Sequence, residues 1–104
     1  MSKYNSFNVN LNIHPNAPKE VWDKVQKIYA EMPYWSGFME GTPIWYGPGD
    51  IIIEASPEPG GLHFYAEMPQ DEWESWICTF RNRATEELGY EIGEPEEGYP
   101  FRFV

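Results

Sequence analysis

The residues of this chain with the most chemical reach are two histidines, one cysteine and a large excess of carboxylates. His63 opens a row, His63-x-Tyr65-x-Glu67. At strand spacing such a row sets an imidazole, a phenol and a carboxylate on one side, about 7 Å apart in succession. A small ligand or a metal ion would suit that patch, and His14, at the end of an earlier alternating segment, would join it on the same open face. The plainer account is ordinary solvent-facing strand residues. No H-x-x-x-H or H-E-x-x-H spacing occurs, so we expect neither a metal nor a cofactor.

Cys78 sits in Trp76-Ile77-Cys78-Thr79-Phe80, a setting with few bases beside Arg81. A nucleophilic thiol needs electropositive, accessible surroundings. These neighbours predict partial burial and a structural role. No Gly-x-Ser-x-Gly elbow is present, and the turn glycines at 47, 49, 60 and 61 lack the lysine of a phosphate loop. Carboxylates abound, yet nothing in their positions singles out an acid–base pair. The stretch 93–99 lacks the ligand pattern of a calcium loop. We expect no enzyme here.

Charge is more informative. The formal net charge is −10, and no Lys or Arg occurs between Lys27 and Arg81. Glu31, Glu40, Asp50, Glu54, Glu58, Glu67, Asp71, Glu72 and Glu74 fall in that interval, and a second acidic block runs from Glu86 to Glu97. Such a field repels nucleic acid and anionic membrane and attracts basic protein surfaces. Solubility alone would also explain it. Aromatic residues make up 17% of the chain. Trp22, Trp73 and Trp76 fit helical core stripes, whereas Tyr34, Trp35, Trp45 and Tyr46 fit none and adjoin the base-free stretch. Rings among acids make anchors for a basic partner. The expected contact set is Trp35, Trp45, Tyr46, Glu54, Glu58, Glu67, Asp71 and Glu72; the competing account is that the rings cover a second edge of the core.

Elements must position these groups. Phe7, Val9, Leu11 and Ile13 alternate with Asn8, Asn10, Asn12 and His14, which predicts a strand with an Asn row on its open face. Pro18 then opens a helix that buries Val21, Trp22, Val25, Ile28, Tyr29 and Met32, and Pro33 stops it. Residues 33–50 have the punctuation of a loop, with a short strand at 42–46. Strands follow at 51–55 and 62–68. Asp71 and Glu74 have capping-box spacing for a second helix with a stripe of Trp73, Trp76, Ile77, Phe80, Ala84 and Leu88, closed by Gly89. The ending Tyr99, Phe101, Phe103 has the alternation of an edge strand. The order β-α-β-β-β-α-(β) predicts one α+β domain over 1–104. It has a single sheet with two helices on one face, ferredoxin-like or a variant with an added strand.

The run Arg83-Ala84-Thr85-Glu86-Glu87-Leu88-Gly89-Tyr90-Glu91-Ile92-Gly93, continuing to Tyr99, resembles the C-terminal part of small acidic bacterial proteins of the toxin-immunity type. The resembling segment runs from Trp73 through Tyr99, about a quarter of the chain. The resemblance implies a single-domain acidic inhibitor that neutralises a basic toxin or nuclease; it carries no catalytic residue with it. Two alternatives stand beside it: a ligand-binding or minor enzymatic domain using His14, His63, Tyr65 and Glu67, and a mobile-element inhibitor that mimics nucleic-acid charge. With one cysteine and no run that resembles a signal peptide or membrane span, the expected location is cytoplasmic.

Overall fold

Alternation along Phe7, Val9 and Leu11 builds β1 (Asn5–Leu11), the first strand of the computed structural model, which describes residues 4–102. Helix α1 (Lys19–Glu31) follows with Pro18 at its N-cap and buries Val21, Val25, Ile28 and Tyr29. Four strands come next: β2 (Trp35–Met39), β3 (Thr42–Gly47), β4 (Ile51–Glu58) and β5 (Gly61–Met68). Helix α2 (Gln70–Leu88) ends at Gly89, whose left-handed φ of 81° lets its N–H reach the Thr85 carbonyl. A short 3₁₀ turn, Pro95–Glu97, lies in the tail.

The sheet order is β1-β5-β4-β3-β2, and every pairing is antiparallel. The protein is therefore α+β, with one sheet and both helices on one side of it. The ferredoxin-like arrangement does not form, because a βαβ unit joins parallel strands and β1 has one neighbour, antiparallel β5. A variant with an added strand forms instead. The added strand is β2, inside the stretch whose punctuation predicts a loop. The described tail contains no strand, and Phe103 lies outside the described residues.

One row across the sheet sets Trp45, Ile53 and Ala66 side by side, and the next pairs Ala55 with Phe64. All five are buried against the helices. The Phe64 ring lies 4.9 Å from Phe80 and 5.7 Å from Trp76; Trp45 lies 5.1 Å from Trp76 and 5.2 Å from Tyr29. These are tilted or edge-on contacts, which ring quadrupoles favour. Two buried indoles find acceptors: Trp45 Nε1 donates to the Tyr29 carbonyl and Trp76 Nε1 to that of Pro33, both at 3.1 Å.

Three local expectations are corrected. Alternation predicts Asn12 and His14 on the open face, but β1 ends at Leu11 and Asn12 turns inward, 1% exposed. Its Nδ2 donates to the carbonyls of Glu91 (3.0 Å) and Pro100 (2.9 Å), and its Oδ1 accepts from Gly93 N–H (2.9 Å). Asn12 thus clasps the tail against the domain. The Asp71–Glu74 capping box is absent, because α2 starts at Gln70 with Pro69 as its N-cap. Cys78 is exposed, since it lies opposite the Trp73, Trp76, Phe80 and Ala84 stripe.

Candidate functional site

Both helices cover one side of the sheet, so alternate residues of the same strands form an opposite face that no helix covers. The registers define its rows: Ser6, Glu67, Ile52 and Tyr46; then Asn8, Tyr65, Glu54 and Ile44; then Asn10, His63 and Ser56. Glu58, further along β4 on the same parity, accepts from the Ser56 hydroxyl at 2.7 Å. Every described Lys and Arg lies on α1, α2 or the tail. Among the described residues, the open face thus carries Glu54, Glu58 and Glu67 without a Lys or Arg.

The face changes character from β1 to β3. Near β1, His63 is clasped between two amides, Nδ1 2.9 Å from Asn10 Oδ1 and Nε2 3.0 Å from Asn8 Oδ1. Both ring nitrogens are engaged. The Tyr65 hydroxyl donates to the Glu67 carboxylate. That bond holds the phenol above the usual tyrosine range, while the Ser6 hydroxyl pulls the other way. Near β3 the face is apolar. Ile44, which shares this face by register with Glu54, is only 5% exposed. Tyr46 stands out at 43% exposure. Beside it a concavity of about 280 Å³ is lined by Tyr46, Gly47, Asp50, Ile51 and Ile52. Asp50 is held there by a left-handed backbone, φ 67°.

The structure divides the residues expected to contact a partner. Tyr46, Glu54, Glu58 and Glu67 share the open face. Trp45 is not a surface anchor: it is 0% exposed at the centre of the aromatic core. Trp35 is half-buried on the helix side, 5.3 Å from Trp45 and 6.3 Å from Tyr29. Asp71 and Glu72 are exposed at the start of α2, away from the open face. There the Tyr34 hydroxyl donates to Glu72 Oε1 at 3.1 Å, which raises the Tyr34 phenol, and a cavity of about 170 Å³ is lined by Tyr34, Glu72, Trp76 and neighbours.

Of the alternative ligand set, His63, Tyr65 and Glu67 lie together on the open face. His14 does not join them: it sits beyond β1, accepts from Asn16 N–H and packs edge-on to Phe101 at 5.3 Å. Among the described residues no group of three His, Cys, Asp or Glu side chains is disposed to hold a metal ion, and no helix is long and apolar enough to cross a membrane.

Sequence reading missed Ile52 and Asp50 as parts of this surface. The available signal was the Gly47–Asp50 turn, which bends the β3–β4 hairpin around Tyr46 and opens the concavity. Comparison with known proteins adds no kinship: no family model, curated protein or solved structure matches the chain.

Proposed function

We propose that the chain is an acidic protein-binding domain that docks a basic protein surface on its open sheet face. The observation that carries this reading is the concavity at Tyr46 and Asp50, at one end of a face bearing Glu54, Glu58 and Glu67 and, among the described residues, no Lys or Arg. An arginine or lysine of the partner fits this site in three ways. Its aliphatic stem covers Ile52, its cationic head lies over the Tyr46 ring, and Asp50 supplies the countercharge. The glutamates speed encounter, and the desolvated centre at Tyr46 slows departure. The resemblance of the C-terminal run to toxin-immunity proteins supports the same role, an inhibitor that masks the basic surface of a toxin or nuclease.

Association and dissociation rates with a basic nuclease or toxin, measured over a salt series, test the reading. Association should slow as salt rises, because exposed charges are screened beyond ~8–10 Å. Tyr46→Ala should accelerate dissociation. Reversal of Asp71 and Glu72 to Lys, on the other side of the domain, should affect association less than reversal of Glu54 and Glu67. Equal effects from both pairs would remove the open face from the contact.

A further inference from the structure

The two edges of the sheet are built differently. Edge strand β2 is five residues long, shifts register between Trp35 and Phe38, and contains Gly37 at φ 93°. Short length and a bulge are devices that stop an edge from pairing with another chain. Edge strand β1 has none of them. All seven of its residues pair with β5 in unbroken register, and Asn5–Leu11 contains no charge, proline or glycine. From Ser6 to Asn10 its outward main-chain groups have no hydrogen bond to another described residue outside the β1–β5 ladder.

We propose that this edge pairs with the β1 edge of a second copy of the chain, antiparallel about a twofold axis through Asn8. The strand is self-complementary about that residue. Asn8 would meet Asn8 of the other copy and Ser6 would meet Asn10 on the open face; Phe7 would meet Val9 on the helix side. Phe7 and Val9 are half-buried at the rim of the core, and a neighbouring strand would finish covering them. Amide would face amide and apolar would face apolar, the pairing that stabilises cross-strand contacts.

Charge favours a second copy over a basic partner at this edge. The segment offers a cation no carboxylate, while two chains of net charge −10 repel least where neither carries charge. The pairing is isologous, so it closes at two copies, and the blunted β2 edge keeps the sheet from extending further. The two open acidic faces would become one continuous surface. Salt should act in opposite directions on the two associations. Binding of a basic protein weakens as charges are screened, whereas self-association strengthens because like-charge repulsion is screened.

Sedimentation velocity of the full chain across concentration and salt reads the association directly. The wild-type chain should form a dimer whose population rises with both. Asn8 is exposed, and Asn8→Lys or Asn8→Asp would place like charges opposite each other across the axis. Each should weaken the dimer about fivefold. An equimolar mixture of the two variants should recover it by forming the mixed pair. Circular dichroism and thermal melting of each variant confirm that the fold is kept. If a variant does not fold, amide exchange of the wild type decides instead: outward amides between Ser6 and Asn10 should gain protection as concentration rises. A wild-type chain that stays monomeric at every concentration and salt would overturn the proposal. So would a mixture that recovers nothing, or an edge protected only when a basic protein is bound; that last result would assign the edge to the partner. Tyr46→Ala should leave the dimer unchanged, which separates this result from failure of the docking surface.

Discussion

The two faces of the sheet come from the same strands, residue by alternate residue, and they do opposite work. On the helix side Trp45, Ile53, Ala55, Phe64 and Ala66 are buried among rings from α1 and α2. On the other side Tyr46, Ile52, Glu54, Tyr65 and Glu67 meet solvent in registers just as regular. The apolar side removes area from water and holds the fold; the mixed side leaves acids and one prominent ring available. A chain of 104 residues has little core to spare. Separating the two tasks by strand parity lets the outer surface vary without undermining the inner one. Substitutions one position apart should therefore differ in kind as well as in size.

The largest difference should appear between adjacent residues of β3. Trp45→Ala removes a fully buried indole together with its bond to the Tyr29 carbonyl, and should destabilise by ~3–5 kcal/mol in urea unfolding. Tyr46→Ala should change unfolding by less than ~1 kcal/mol, since it truncates an exposed side chain. Comparable losses at the two positions would break the division of labour. Asn12→Ala should come next, at ~3 kcal/mol, because it leaves the Glu91 and Pro100 carbonyls and the Gly93 N–H without their partner. Limited proteolysis should then cut within 90–100 before the rest of the domain.

On the outer face the expected effects are on binding. Tyr46→Ala should cost ~2 kcal/mol of affinity for a basic partner, seen mainly as faster dissociation. Charge reversal at Glu54 should slow association with little change in dissociation. Surface plasmon resonance at two salt concentrations resolves both rates. A Tyr46 variant with unaltered dissociation would leave the concavity without a role.

The inner face was largely legible in the sequence because its alternation is clean. Leu62, Phe64, Ala66 and Met68 are separated by His63, Tyr65 and Glu67, and one parity is plainly the core. The outer site was only half legible. In β3 the segment Ile44-Trp45-Tyr46 is apolar at both parities, so no pattern shows which ring points inward. Trp45 therefore passed for an anchor. β2 was hidden for a different reason: its bulge between Trp35 and Phe38 breaks the period of two, and Gly37 looks like loop. The following turn is a type I′ hairpin made by Glu40 and Gly41, φ 51° and 83°, and a glutamate is an uncommon signal for it. Asn12 failed in the reverse sense. It continues a perfect alternation past the point where β1 has already ended, and only the distant tail gives it a reason to be buried.

The smallest predicted effect sharpens the comparison with a tyrosine on each side. Tyr29, on α1, is buried in the aromatic core, and burial alone pushes its phenol far above the usual range near 10. Tyr65, on the outer face, is also raised, but chiefly by its bond to the Glu67 carboxylate. For both, the folded value exceeds the unfolded one, so the sign is the same. Below about pH 10 the proton is bound in both states and no stability is lost. Above it, unfolded chains release the proton while the folded one retains it, and stability falls with rising pH. Tyr29 should keep its proton for as long as the fold persists, whereas Tyr65, in contact with solvent, should ionise within the folded protein. Urea midpoints at about pH 8 and about pH 11 for wild type, Tyr29→Phe and Tyr65→Phe read the difference. Each variant has its own midpoint at the lower pH as reference. Tyr29→Phe should lessen the alkaline loss clearly and Tyr65→Phe much less. In absorbance at 295 nm, Tyr65→Phe should lose part of the phenolate signal that the wild type gains before unfolding, and Tyr29→Phe part of the signal gained with unfolding. The reverse assignment would mean that the outer face, and not the core, shields its tyrosine from water.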